Sequence, residues 1–161
     1  MPGFLDGIDD FLASFSDEER AVSRYLFGRV LAGQAVRPEE LGGAIGLRPV
    51  AASNALTALR DRGTLLIDEA TGEVVGARGL SLRETPHALR LRDRTLYAFC
   101  AVDALGIPAA LGLDADVTSR CHACRAPLRI AVRGGAVADA ASGAVIWAVD
   151  RDPCRSLREH T

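Results

Sequence analysis

All four cysteines of this 161-residue chain lie between positions 100 and 154. Cys100 and Asp103 stand three residues apart in the apolar stretch Leu96-Tyr97-Ala98-Phe99-Cys100-Ala101-Val102-Asp103-Ala104-Leu105. If that stretch is helical, the spacing puts a thiol and a carboxyl side by side on one face. Apolar neighbours would desolvate Asp103 and raise its pKa, leaving a carboxyl able to donate a proton near neutral pH. The same residues also fit a plainer reading, with Cys100 as a small buried hydrophobe and Asp103 turned to water. Cys121-His122-Ala123-Cys124 is a second candidate. It reads as half of a structural metal site, completed by Cys100 and Cys154 or with His122 as a ligand. It also reads as one core cysteine beside an incidental one; a redox pair fits less well, since no βαβ pattern of the thioredoxin type surrounds it.

The elements that must position these residues follow from hydrophobic spacing. Phe4, Leu5, Ile8, Phe11, Leu12 and Phe15 recur at helical intervals. Ser16-Asp17-Glu18-Glu19 is a capping box opening a helix with Val22, Tyr25, Leu26, Val30 and Leu31, stopped by Gly33. Pro38 suits a first helical position, and a further helix is expected from Val50 to Arg62 with Gly63 as its stop. Residues 64–67 and 73–76 flank Thr71-Gly72 as strand, turn and strand. In the second half, strands are expected at 80–82, 88–91, 117–119, 128–133 and 144–149. A single helix is expected from Leu96 to Leu105, closed by Gly106 and Pro108. The expected class is α+β. A helical, winged-helix-like region (residues 1–80) precedes a small mixed β-sheet region with one active-site helix (residues 81–161).

Composition removes several functions. With 48% hydrophobic and 25% charged residues the chain is an ordinary globular one. All 19 basic residues are arginine, which excludes a lysine Schiff base and a Walker-type phosphate loop. Residues 1–80 hold 8 Arg against 12 Asp or Glu, a net of −4. The expected reading helix is mostly small and apolar, so no nucleic-acid partner is expected. No apolar run is long enough to span a bilayer and the start is unlike a secretory signal. No membrane partner is expected, and a cytoplasmic setting with reduced thiols is.

One longer pattern joins these pieces. The run Gly79-Leu80-Ser81-Leu82-Arg83-Glu84-Thr85-Pro86-His87, then Leu96 through Leu105, then Ile107-Pro108 and Ala115-Asp116-Val117-Thr118-Ser119-Arg120-Cys121, closely resembles the organomercurial (alkylmercury) lyase family. The agreement covers residues 74–128. The resemblance implies a cleft in which two cysteines and one aspartate act on a carbon–mercury bond. Cys100 and Asp103 match two of those positions, and Cys154 stands in the order of the second catalytic cysteine. Soft thiolates are the preferred ligands of Hg(II). Two of them push electron density onto the bound carbon while the acid delivers a proton, giving hydrocarbon and a mercury dithiolate.

The resemblance further implies a small organomercurial substrate and no required cofactor. Hg(II) would be the bound product, low-molecular-weight thiols would release it, and a mercuric reductase would accept it. Where the family has Thr or Ser, this chain has Cys124. The alternative is therefore a non-catalytic relative that binds or senses a thiophilic ion, zinc included, through Cys100, Cys121, Cys124 and Cys154. His87 is expected to fix a loop, Trp147 to lie in the core and His160 to be solvated.

Overall fold

The computed structural model describes residues 11, 13–140 and 143–146; Cys154, Trp147, His160 and most of the first expected helix lie outside them. Helix α1 (Asp17–Leu31) begins as its sequence demands. The Ser16 side chain accepts from the Glu19 amide at 3.1 Å, and Glu19 Oε2 accepts from the Ser16 amide at 3.0 Å. Both bonds satisfy N–H groups that the first helical turn leaves without partners. Arg62 reinforces this corner, lying 3.8 Å from Glu19 Oε2 with its guanidinium 5.0 Å from the Phe15 ring centre. One face of α1 buries Val22, Leu26 and Val30 completely.

A 3₁₀ turn (Pro38–Glu40) leads into α2 (Leu41–Ile45), and α3 (Pro49–Asp61) follows with Pro49 in its first turn. Helix α1 lies against α3 and against the sheet. The sheet strands are β1 (Leu65–Ile67), β2 (Val74–Ala77), β3 (Leu80–Ser81), β4 (Ala88–Leu91), β5 (Arg94–Ala98), β6 (Ala115–Arg120), β7 (Pro127–Arg133) and β8 (Ala136–Ala140). Their spatial order is β1-β2-β3-β5-β4-β6-β7-β8, with a single helix, α4 (Ala101–Ala110), between β5 and β6. The core joins both halves, with Leu26, Leu41, Leu59, Leu65, Leu80, Leu89, Leu96 and Val132 among its fully buried side chains.

The α+β class stands, but several expectations change. The sheet is antiparallel at every described pairing rather than mixed, and it is not confined to the second half. The two-residue strand β3 causes this, because it pairs with β2 on one side and β5 on the other. The expected helix over 96–105 is instead a strand end followed by a helix start. Leu96 and Ala98 are buried while Thr95 is exposed. That alternation belongs to a strand held between two neighbours. The helix continues through Pro108 and stops before Gly112, whose φ is +63°. The expected strand over 144–149 is absent at 144–146, and 147–149 lie outside the described residues. The partner of β7 is the Ala-rich segment 136–140, which reads as a turn because its side chains are small and exposed. Among the described residues no helix is long and apolar enough to cross a membrane.

The capping box gives a direct test. Ser16→Ala removes the acceptor for the Glu19 amide and should cost about 1 kcal/mol of stability. Chemical denaturation should show a lower midpoint with an unchanged slope.

Candidate active site

Cys100 is the N-cap of α4, in extended backbone (φ −146°, ψ 172°), and Asp103 occupies the third position of the first turn. Their meeting is therefore a helix-capping contact and not a shared face of a continuous helix. The Asp103 amide donates to the Cys100 sulfur at 3.3 Å, and the thiol donates to Asp103 Oδ2 at 2.9 Å. The sulfur thus caps the helix as a hydroxyl would, while its proton is held by the carboxyl at the third position. Cys100 is only 8% exposed.

A helix N-terminus by itself favours a thiolate. Here the opposite influences win. Burial first, then the negative charge of Asp103 and the hydrogen bond to it, push the Cys100 thiol up to about 11. The thiol thus keeps its proton at neutral pH and holds it against the carboxyl.

The slot for that carboxyl is made by the β2–β3 hairpin. Its two-residue turn is Arg78-Gly79, with φ +49° and +88°, the pairing that two-residue hairpins favour. A Cβ on Gly79 would stand 2.5 Å from both Cγ and Oδ1 of Asp103. The Gly79 carbonyl accepts from the Phe99 amide at 2.7 Å, fixing the turn to the residue before Cys100. Gly76 makes a similar allowance, since a Cβ there would stand 3.0 Å from the Phe99 ring. Gly79 opens the run that carries the family resemblance, but its role is invisible until β2 and β3 are folded against α4.

Thr85-Pro86-His87 clamps the other side. The Thr85 hydroxyl donates to the Ala98 carbonyl at 2.7 Å, and the Ala98 amide donates to the His87 carbonyl at 2.9 Å. His87 Nδ1 lies 2.6 Å from Ser119 Oγ, and burial lowers the imidazole pKa below its ordinary value. His87 therefore ties β4 to β6, the loop-fixing part expected of it. Thr85 and Ser119 enter the site only through these contacts.

Of the described cysteines, Cys121 and Cys124 do not converge on Cys100. Cys121 and Cys124 occupy the β6–β7 loop, half-buried and exposed respectively. The core placement considered for Cys121 is thus not observed. Among the described residues no three His, Cys, Asp or Glu side chains gather as a metal set. A closed four-thiolate site built on Cys100, Cys121 and Cys124 is not formed. A cavity of about 340 Å³ lies at the opposite end of β4, lined by Arg90, Arg92, Asp114, Ala115, Asp116 and Arg133. Its Asp116 already pairs with Arg90 at 2.7 Å and with Arg133, and it contributes nothing to the thiol chemistry.

Comparison with known proteins bears on this arrangement. The alkylmercury lyase family model matches residues 80–160. An alkylmercury lyase of Staphylococcus epidermidis is 31% identical over 163 aligned positions, covering 96% of this chain and 73% of the relative. The chain belongs to the alkylmercury lyase family. A Pseudomonas putida alkylmercury lyase is 38% identical over 112 residues, covering 70% of this chain and 50% of the relative. One from Bacillus cereus is 33% identical over 136 residues, with 84% and 60% covered. The chain thus spans about half to three-fifths of the length of these two relatives. Among solved structures, the mercury-bound form of MerB2 superposes with a TM-score of 0.88 at 30% identity, covering 95% of this chain and 74% of that one.

The shared proton can be read by alkylation. With a thiol near 11, iodoacetamide should label Cys100 slowly at pH 7–8, and faster by about tenfold per pH unit until the thiol titrates. Asp103→Asn removes the negative charge that helps raise the value, so its profile should move to lower pH, with several-fold faster labelling at pH 8. Peptide mass spectrometry of the Cys100 fragment checks both.

Proposed function

We propose that the chain cleaves organomercurials by protonolysis, releasing R–H and leaving Hg(II) on cysteine thiolates. The observation that carries this reading is the Cys100 thiol donating its proton to Asp103 at the start of α4. Mercury is soft and binds thiolate far better than oxygen ligands. When R–Hg⁺ approaches Cys100, the sulfur bonds to mercury and its proton moves along the existing hydrogen bond to Asp103 Oδ2. The carboxyl then holds that proton beside the metal-bound carbon. A second thiol, which we assign to Cys154, adds to mercury and loses its proton to solvent. As the carbon–mercury bond breaks, its electron pair takes the proton from Asp103. The balance is R–Hg⁺ plus two thiols giving R–H, a mercury dithiolate and H⁺. No electron transfer enters.

The surroundings suit those roles. Burial keeps water from competing for the proton, and Gly79 leaves the carboxyl the room it needs to stay against the sulfur. Low-molecular-weight thiols supply the exchange that removes Hg(II), with a mercuric reductase as the acceptor in a reducing cytoplasm. Residues 1–80 take the winged-helix-like part and residues 81–161 the catalytic part of this reading. Support for the former is the order α1, α2, α3, β1, β2, with Val36 bridging to Val74 as a third strand position. The exposed face of α3 offers Val50, Ser53, Asn54 and Thr57, and its one arginine, Arg60, is paired with Asp61 at 3.0 Å. We therefore assign this region a scaffolding part rather than DNA reading.

Two measurements test the proposal. With excess small thiol, gas chromatography should detect hydrocarbon released from an aryl- or alkylmercury compound. Cys100→Ser and Asp103→Ala should each lower that release by at least about 100-fold, the scale of losing a positioned acid. Stoichiometric mercury binding by the wild type without turnover would refute the reading. Fluorescence anisotropy should show no salt-dependent binding of the chain to duplex DNA near physiological ionic strength.

A further inference from the structure

The Cys-x-x-Cys pair plays no part in the chemistry above, yet the fold builds it carefully. Strands β6 and β7 pair to the end of the hairpin, Arg120 opposite Pro127. The loop between them is then drawn tight. The Cys121 amide donates to the Ala126 carbonyl at 2.9 Å, the Arg125 amide donates back to the Cys121 carbonyl at 2.9 Å, and Arg125 takes φ +60°. This tight loop holds Cys121 and Cys124 together, with the Cys124 thiol beside the Cys121 sulfur. Cys124 is exposed and Cys121 half-buried, so an ion reaches both without unfolding.

We propose that Cys121 and Cys124 form a second metal site, selective for soft cations that accept two-coordinate dithiolate binding, Hg(II) foremost. The ligand count decides the class. No third His, Cys, Asp or Glu joins the pair among the described residues. Zinc in proteins takes four ligands, or three and a water, and the described residues leave it short. Hg(II) is satisfied by two thiolates. Binding displaces one proton from each thiol and forms two sulfur–mercury bonds, with no oxidation.

The pair also stands at the active-site end of the sheet. Ala98 at the end of β5 and Thr118 near the end of β6 flank the start of β4, where Ala88 pairs with Tyr97 and Thr118. One strand separates the two chain segments, a backbone separation of ~10 Å. The second site therefore lies at the same end of the sheet as Cys100 while sharing no ligand with it, and its existence does not depend on the lyase reading.

The test uses the full chain carrying Cys100→Ser and Cys154→Ser, which removes the thiols assigned to catalysis; serine at 100 retains a good helix cap. The chain is incubated with mercuric chloride, desalted, and analysed for retained mercury and for near-ultraviolet sulfur-to-mercury absorption. One Hg(II) per chain is expected, with two protons released, and none once Cys121→Ser and Cys124→Ser are added. A parallel incubation with zinc chloride should retain no zinc. Retained mercury equal in the two variants would overturn the proposal. So would half an equivalent per chain with dimer formation, or one zinc per chain. Hydrocarbon release by the wild type reads the lyase proposal separately, so either can fail alone.

Discussion

The contact between the Cys100 thiol and the Asp103 carboxyl at the mouth of α4 is the constraint around which the molecule is arranged. A thiol at a helix N-terminus would ordinarily ionise more easily. Burial and an adjacent carboxylate reverse that tendency and keep the proton in place. The stored proton is the useful quantity. In the protonolysis proposed above it passes to the carboxyl when a soft metal binds the sulfur strongly enough to displace it, which a hard one does not. On that reading, selectivity for the metal and supply of the proton would arise from one hydrogen bond.

Everything nearby protects that bond. The β2–β3 hairpin supplies a glycine where a Cβ would collide with the carboxyl, and the same glycine anchors Phe99. Thr85 and His87 tie β4 to the end of β5 and to β6. The helices of the first half enter through the core, since α1 lies against β2, the strand that begins the hairpin. The two halves share one sheet, so the helical region helps support the active-site turn.

The Cys121–Cys124 hairpin shows a contrasting solution for sulfur. Its thiols share one tight loop and are open to solvent. Cys100 is buried and opposed by a carboxylate. The same residue type is thus left accessible in one place and made to hold a proton in the other.

Local physics made much of this legible in the sequence. The capping box at Ser16, the helix stops at Gly33 and Gly63, and the β1–β2 hairpin depend on neighbours within four or five residues, and those neighbours are visible in the chain. The spacing of Cys100 and Asp103 likewise allowed a thiol–carboxyl contact, though it fitted an Asp103 turned to water as well. Its form was not legible. An apolar run of ten residues satisfies a buried helix and a buried strand equally well, and only pairing with β3 and β4 made 96–98 a strand and Cys100 a cap. The Ala-rich strand β8 was hidden because small exposed side chains carry no periodic signal. Gly79 became a determinant of the site only when two segments 24 residues apart closed on each other. Residue type and short spacing determined which chemistry was available; long-range strand pairing decided which atoms meet, because hydrogen bonds between distant segments leave no trace in either segment alone.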